Sequence, residues 1–67
     1  MNTGTIKTLT HERMFGFIRP DAGGNNVFFH FTRVAGSGAA LEVGDEVEYE
    51  PGTDRTGRPC AIQVRRI

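Results

Sequence analysis

Arg13-Met14-Phe15-Gly16-Phe17-Ile18 and, a short run later, Val27-Phe28-Phe29-His30-Phe31 decide how this chain folds. All five phenylalanines of the protein lie in these two segments. Successive side chains of a strand point to opposite faces. Phe15 and Phe17 therefore share one face of the first segment, and Met14, Gly16 and Ile18 share the other. In the second segment Phe28 and His30 share a face, opposite Val27 and Phe29. Pro20-Asp21-Ala22-Gly23-Gly24-Asn25 between them is dense in turn formers and joins the two as an antiparallel hairpin. With Met14, Ile18, Val27 and Phe29 expected in the core, Phe15, Phe17, Phe28 and His30 form one patch on the outside, beside Lys7 and Arg13.

Such a patch needs a reason. Leaving a Phe exposed forgoes roughly 1.5–3 kcal/mol per side chain, and small soluble domains seldom cluster exposed rings without use. Flat rings next to cations suit unstacked nucleobases, since each base–ring stack is worth roughly 1–3 kcal/mol and the cations meet the phosphates. A register slipped by one residue would instead send some of these rings into the core.

Working outward, Thr3 to Thr10 is rich in Thr, Ile and Leu and reads as a strand, with Ile6 inward and Lys7 outward. Arg13 to Arg19 is the second strand and Asn26 to Phe31 the third. Thr32 to Ala40, punctuated by Gly36, Ser37 and Gly38, is the longest loop. Glu46 to Glu50 is a fourth strand with Val47 and Tyr49 inward. Pro51 to Gly57 is a turn, and Arg58 to Ile67 a fifth strand in which Ile62 and Val64 share a face. No stretch carries a 3.6-residue apolar stripe long enough to bury. The fold class expected is all-β: a five-stranded antiparallel Greek-key barrel of the OB type, one domain over residues 1–67.

The chain has 67 residues, and a core this small supplies on the order of 3–5 kcal/mol. Cys60 is the single cysteine, so no internal disulfide forms, which suits a reducing compartment. No apolar run approaches a membrane span of roughly 18 residues, and Met1-Asn2-Thr3-Gly4 lacks the form of a signal peptide. The expectation is a cytoplasmic protein without membrane association, or a domain of a longer chain. Net charge is zero, but the charges are segregated. Residues 1–33 carry Lys7, Arg13, Arg19 and Arg33 against Glu12 and Asp21. Residues 34–54 carry Glu42, Asp45, Glu46, Glu48, Glu50 and Asp54 and no base. Residues 55–67 carry Arg55, Arg58, Arg65 and Arg66 and no acid. A basic, aromatic strand pair beside an acidic segment can hold a polyanion on one side only.

Catalytic readings are weak. Gly36-Ser37-Gly38 is too short for a phosphate loop and lacks its lysine. His11, His30 and Cys60 have no zinc-ligand spacing, and His30 has no nucleophile or carboxylate spaced to pair with it. Asp21 is explained by capping its own turn. No enzyme activity, metal, cofactor or small-molecule substrate is expected.

Arg13 to Ile18 resembles the first ribonucleoprotein motif of the bacterial cold-shock proteins, usually K-G-F-G-F-I, and Val27 to Phe31 resembles their second, V-F-V-H-F. The likeness continues through Gly4-x-Ile6-Lys7, Pro20-Asp21, Phe31-Thr32, Leu41-x-x-Gly44-x-x-Val47 and Pro59-x-Ala61, and so covers nearly the whole chain. It implies a five-stranded barrel, with a helical turn near Thr32-Arg33-Val34, that binds single-stranded RNA or DNA with low sequence specificity and melts weak RNA structure without ATP, as an RNA chaperone or cold-shock-type regulator. Carried over position by position, Phe15, Phe17, Phe28 and His30 stack bases. Phe31 is also a family binding ring, although alternation points it inward. Lys7 and Arg13, with Arg58 in the loop before Pro59, meet phosphates.

The departures are specific. The family has Trp where this chain has Thr8, Phe where it has Leu9, and Gly where it has Met14. The family's loop aromatic near Ala39 is absent, and the loop is one residue shorter. Fewer stacks imply a narrower site of roughly three or four bases and weaker binding. A second reading makes the aromatic patch a protein-docking or homodimer surface; zero net charge and the missing Trp lean that way. A monomer is expected, with a dimer by strand exchange as the alternative.

Overall fold

The structure is a computed structural model and describes residues 1–36 and 41–67. Ser37, Gly38 and the loop position Ala39, singled out above, lie outside the described residues. Five strands form, β1 (Asn2–Thr10), β2 (Phe15–Pro20), β3 (Val27–His30), β4 (Glu46–Thr53) and β5 (Pro59–Arg66), with one turn of 3-10 helix at Phe31–Arg33. They close into a barrel in the order β1-β2-β3-β5-β4, with β4 returning to β1.

Alternation fills the interior. Ile6, Ile18, Val27, Phe29, Val47, Tyr49, Ala61 and Val64 face inward and are buried, joined by Phe31, Val34 and Leu41. Gly16 is required by this packing. A Cβ there would lie 2.6 Å from the Thr8 carbonyl oxygen and 2.9 Å from the Phe29 ring, so the missing side chain lets the Phe29 ring lie against β2.

Two bulges set the faces. On β1, Ile6 pairs with Ile18 and Thr8 with Phe17, leaving Lys7 as the extra residue. The shift brings Thr8 and Thr10 opposite Phe17 and Phe15, while Leu9 lies opposite Gly16 and packs against the core. On β5, Gln63 pairs with Glu50 and Ala61 with Pro51, leaving Ile62 as the extra residue.

Four expectations are corrected here. Ile62 does not share a face with Val64: the bulge sends Ala61 and Val64 inward and leaves Ile62 44% exposed, lying across the bare Cα of Gly52. Met14 is not in the core. It ends the tight turn after β1 at φ 59° with its side chain exposed, and its carbonyl accepts the Phe31 N–H at 2.8 Å. The barrel is mixed rather than wholly antiparallel, because β3 meets β5 in parallel at Phe28 and Cys60, a contact continued by the Val34–Val64 bridge. Finally, β4 continues through Pro51 to Thr53. Proline is tolerated there because the β1 pairing ends at Tyr49, so the position has a neighbour on one side only.

Candidate nucleic-acid interface

The β2–β3 register places Phe15 opposite His30 and Phe17 opposite Phe28 on the outer face. Three rings meet there. Phe15 and Phe28 are tilted with centroids 5.5 Å apart. Phe17 stands edge-on to Phe28 at 5.8 Å and to Phe15 at 6.0 Å. Tilted and edge-to-face packing at these distances holds each ring in place, and all three remain half-buried, each partly exposed to solvent. The register is not slipped: Ile18, Val27 and Phe29, on the alternate positions, are buried.

His30 flanks the triad and is fixed by the next residues. Its Nδ1 accepts the backbone N–H of Thr32 at 3.2 Å and lies 2.9 Å from the Thr32 hydroxyl, so the imidazole caps the 3-10 turn. Phe31 takes a different place from the other rings. It is buried, stacked on Phe29 at 6.1 Å and covered edge-on by His11 at 5.5 Å, so it offers no open face in this conformation. The inward direction given by alternation is the one observed.

The cations fall in separate places. Lys7, at the β1 bulge, lines a shallow hollow with Thr5, Arg19, Val43 and Gly44 on the far side of Thr8 from the β1–β2 turn. Arg13 is exposed in the Thr10–Met14 turn, where its N–H donates to the Thr10 carbonyl at 3.3 Å. Arg58 comes directly to the rings: a hollow of about 350 Å³ is lined by Phe17, Phe28, Asn26, Arg58 and Pro59.

The β4–β5 turn that carries Arg58 is built by Asp54. Its Oδ1 accepts the Thr56 hydroxyl at 2.7 Å, the Thr56 N–H at 2.8 Å and the Arg58 N–H at 3.0 Å. The Thr56 hydroxyl bond, then the Arg58 N–H, holds the Asp54 carboxyl below its ordinary value. Two other acids face arginines of β5: Glu48 pairs with Arg65 across β4–β5, and Arg66 lies 3.9 Å from Asp45. Asp54, from the same acidic segment, instead borders the hollow beside Phe17 and Phe28.

A second group beside Phe28 was not legible in the sequence. Arg33, Arg55, Cys60 and Ile62 line a hollow with Phe28 and His30. Arg55 stands next to Asp54 in the turn, and only the parallel β3–β5 contact brings β5 against Phe28. Thr8 does lie on the ring face, opposite Phe17, whereas Leu9 is turned toward the core. Of the two missing aromatic side chains, the one at position 8 is therefore the direct loss to the ring face. Among the described residues no group of three His, Cys, Asp or Glu is placed to hold a metal ion, and no helix is long and apolar enough to cross a membrane.

An all-β barrel with three partly exposed rings on its second and third strands is the architecture of a nucleic-acid-binding barrel of the OB class. Residues 2–67 match the 'Cold-shock' DNA-binding domain, and the chain belongs to this family. It is 44% identical over 68 residues to probable cold shock protein A of Mycolicibacterium smegmatis, covering the full length of both chains. It is 42% identical over 66 residues to the RNA-binding protein Unr of Drosophila melanogaster, covering 97% of this chain and 6% of that one. In structure it is similar to the cold-shock-domain segment CSD456 of Drosophila Unr, with a TM-score of 0.82 and 32% identity over 98% of this chain and 26% of the other.

Proposed function

We propose that the barrel binds single-stranded RNA or DNA with low sequence specificity and acts as an RNA chaperone. One observation carries this reading: Phe15, Phe17 and Phe28 pack on one another and each stays partly exposed on the same outer side of the barrel. Every base has a π-face, so a row of rings accepts any sequence and discriminates weakly. His30 continues the row, Arg58 stands at its β5 edge, and Lys7 and Arg13 lie along β1 and its turn as the remaining phosphate contacts. Phe31 supports the row from below. Holding the unpaired strand shifts a hairpin toward melting by mass action, so no nucleotide hydrolysis and no catalytic group are needed. The closed barrel gives each strand two neighbours and leaves no free edge, which favours a monomer. The reading is of one domain over residues 1–67 working in the cytoplasm.

The test is the double variant Phe17→Ala/Phe28→Ala, assayed by fluorescence anisotropy with a labelled oligo-dT or oligo-U. Losing two stacks at roughly 1–3 kcal/mol each removes binding at micromolar protein, while both rings lie outside the core and the barrel stays folded by circular dichroism. Affinity should also fall with salt, by roughly 0.7 in log–log slope per phosphate contacted. A folded double variant with unchanged affinity refutes the assignment. Binding indifferent to salt would point to an apolar protein partner instead.

A further inference from the structure

The hollow on the β5 side of Phe28 touches the ring row through Phe28 and His30, but its remaining walls belong to neither ribonucleoprotein motif. It measures about 320 Å³ and is lined by Phe28, His30, Arg33, Arg55, Cys60 and Ile62, among others. Three features of its walls point to one kind of occupant. The floor is apolar because the β5 bulge turns Ile62 outward and Gly52 leaves room for it. The rim carries two guanidinium groups, Arg33 from the 3-10 turn and Arg55 from the β4–β5 turn, and neither has a carboxylate within salt-bridge distance among the described residues. Asp54 also borders the hollow, but its carboxylate is engaged by the N–H and hydroxyl donors of its own turn. The third wall is His30. A backbone N–H can only donate, so the Thr32 bond leaves the lone pair on Nδ1 and the proton of the neutral ring on Nε2. That Nε2–H forms no hydrogen bond with the described residues.

An apolar floor, a single ring N–H donor and two guanidinium groups without a carboxylate partner among the described residues complement a nucleotide: a flat base against Ile62, a base acceptor on Nε2–H, and phosphate at the arginines. We infer that this hollow is an additional nucleotide subsite, extending the bound strand from β2–β3 across the barrel closure onto β5. The inference rests on the single-strand-binding reading given above. It makes the site one nucleotide longer than the rings alone allow.

The experiment measures affinity for a ladder of oligo-dT strands of increasing length, at several salt concentrations, with the full chain and with Arg33→Gln/Arg55→Gln. Both side chains are exposed, so the variant folds as the parent does. The variant should reach its affinity plateau one nucleotide earlier and bind the longer strands severalfold more weakly. Its log–log salt slope should be shallower by roughly 1.4, or about 0.7 for each phosphate contact. An unchanged plateau length overturns the subsite. A shallower slope without a shorter plateau also overturns it, because the arginines would then touch only the phosphates of the strand on the rings. If Phe17→Ala/Phe28→Ala also binds like the parent, the whole ring interface fails and not the subsite alone.

Discussion

Thr8→Trp should turn a weak binder into a stronger one, and the structure fixes how. Thr8 is exposed and sits directly opposite Phe17 in the β1–β2 register, on the face that bears the ring triad. An indole there adds a flat surface next to Phe17 without displacing anything from the core. One more stacked base is worth roughly 1–3 kcal/mol; taking the middle of that range and allowing about 0.5–1 kcal/mol for immobilising the new side chain, affinity should rise by about 1–1.5 kcal/mol, roughly 5- to 13-fold. The variant carries its own reporter, since the protein has no tryptophan: emission should quench on adding oligo-dT, and the quenching isotherm should agree with anisotropy. The gain should appear at every salt concentration with an unchanged log–log slope, because no phosphate contact is added. Melting should stay within about 1 kcal/mol of the parent, as for other exposed cross-strand pairs. Affinity within twofold of the parent, or an indole that is not quenched, would refute the placement of position 8 on the binding face.

Three further outcomes follow from the packing and the turns. Gly16→Ala puts a methyl group 2.6 Å from the Thr8 carbonyl oxygen and 2.9 Å from the buried Phe29 ring. It should cost about 1–3 kcal/mol, and a melting temperature within a degree of the parent would show that the strands yield easily. Met14→Gly removes a side chain from a left-handed backbone position. Relief of about 1–2 kcal/mol, less about 0.4–1 kcal/mol of added unfolded-chain entropy, should raise the melting temperature by a few degrees; a fall would mean that the Met14 side chain contributes more than its backbone costs. Asp54 has a depressed folded-state pKa, so its contribution to stability is present above the unfolded value and is lost as pH falls through the folded one. Asp54→Ala should therefore be less stable than the parent near neutrality and converge with it in acid below 3.8; a gap independent of pH would assign the effect to the turn backbone rather than to the carboxylate.

Period-two alternation carried much of the fold. Ile6, Ile18, Val27, Phe29, Val47 and Tyr49 are buried where it points inward, and Phe15, Phe17, Phe28 and His30 come together where it points outward. At Phe31 motif and alternation point different ways: the position matches a family ring, while the chain enters the 3-10 turn there and the side chain packs on Phe29. Ile62 shows the limit of alternation itself. Nothing in Ala61-Ile62-Gln63-Val64 announces a bulge; the cause is across the sheet, where Pro51 and Gly52 upset the β4 ladder and leave space for the isoleucine. Periodicity points Met14 inward only for a strand that begins at Arg13; β2 begins at Phe15, two residues later, and Met14 belongs to the turn. Arg33 and Arg55 carried no local signal, since they meet only through the parallel β3–β5 contact.

That parallel contact is also the shortest joint in the barrel. Phe28 and Cys60 form its one registered pair, with the Val34–Val64 bridge beyond it, whereas every other pair of neighbouring strands is laced over four or more positions. If it parts, the barrel unrolls into a sheet running β3-β2-β1-β4-β5, and Phe28 moves away from Arg55 and Arg58. A strand lying on Phe28 on one lip and on those arginines on the other acts as a suture across the seam. Its grip on the barrel and the barrel's resistance to opening are then two readings of one free energy.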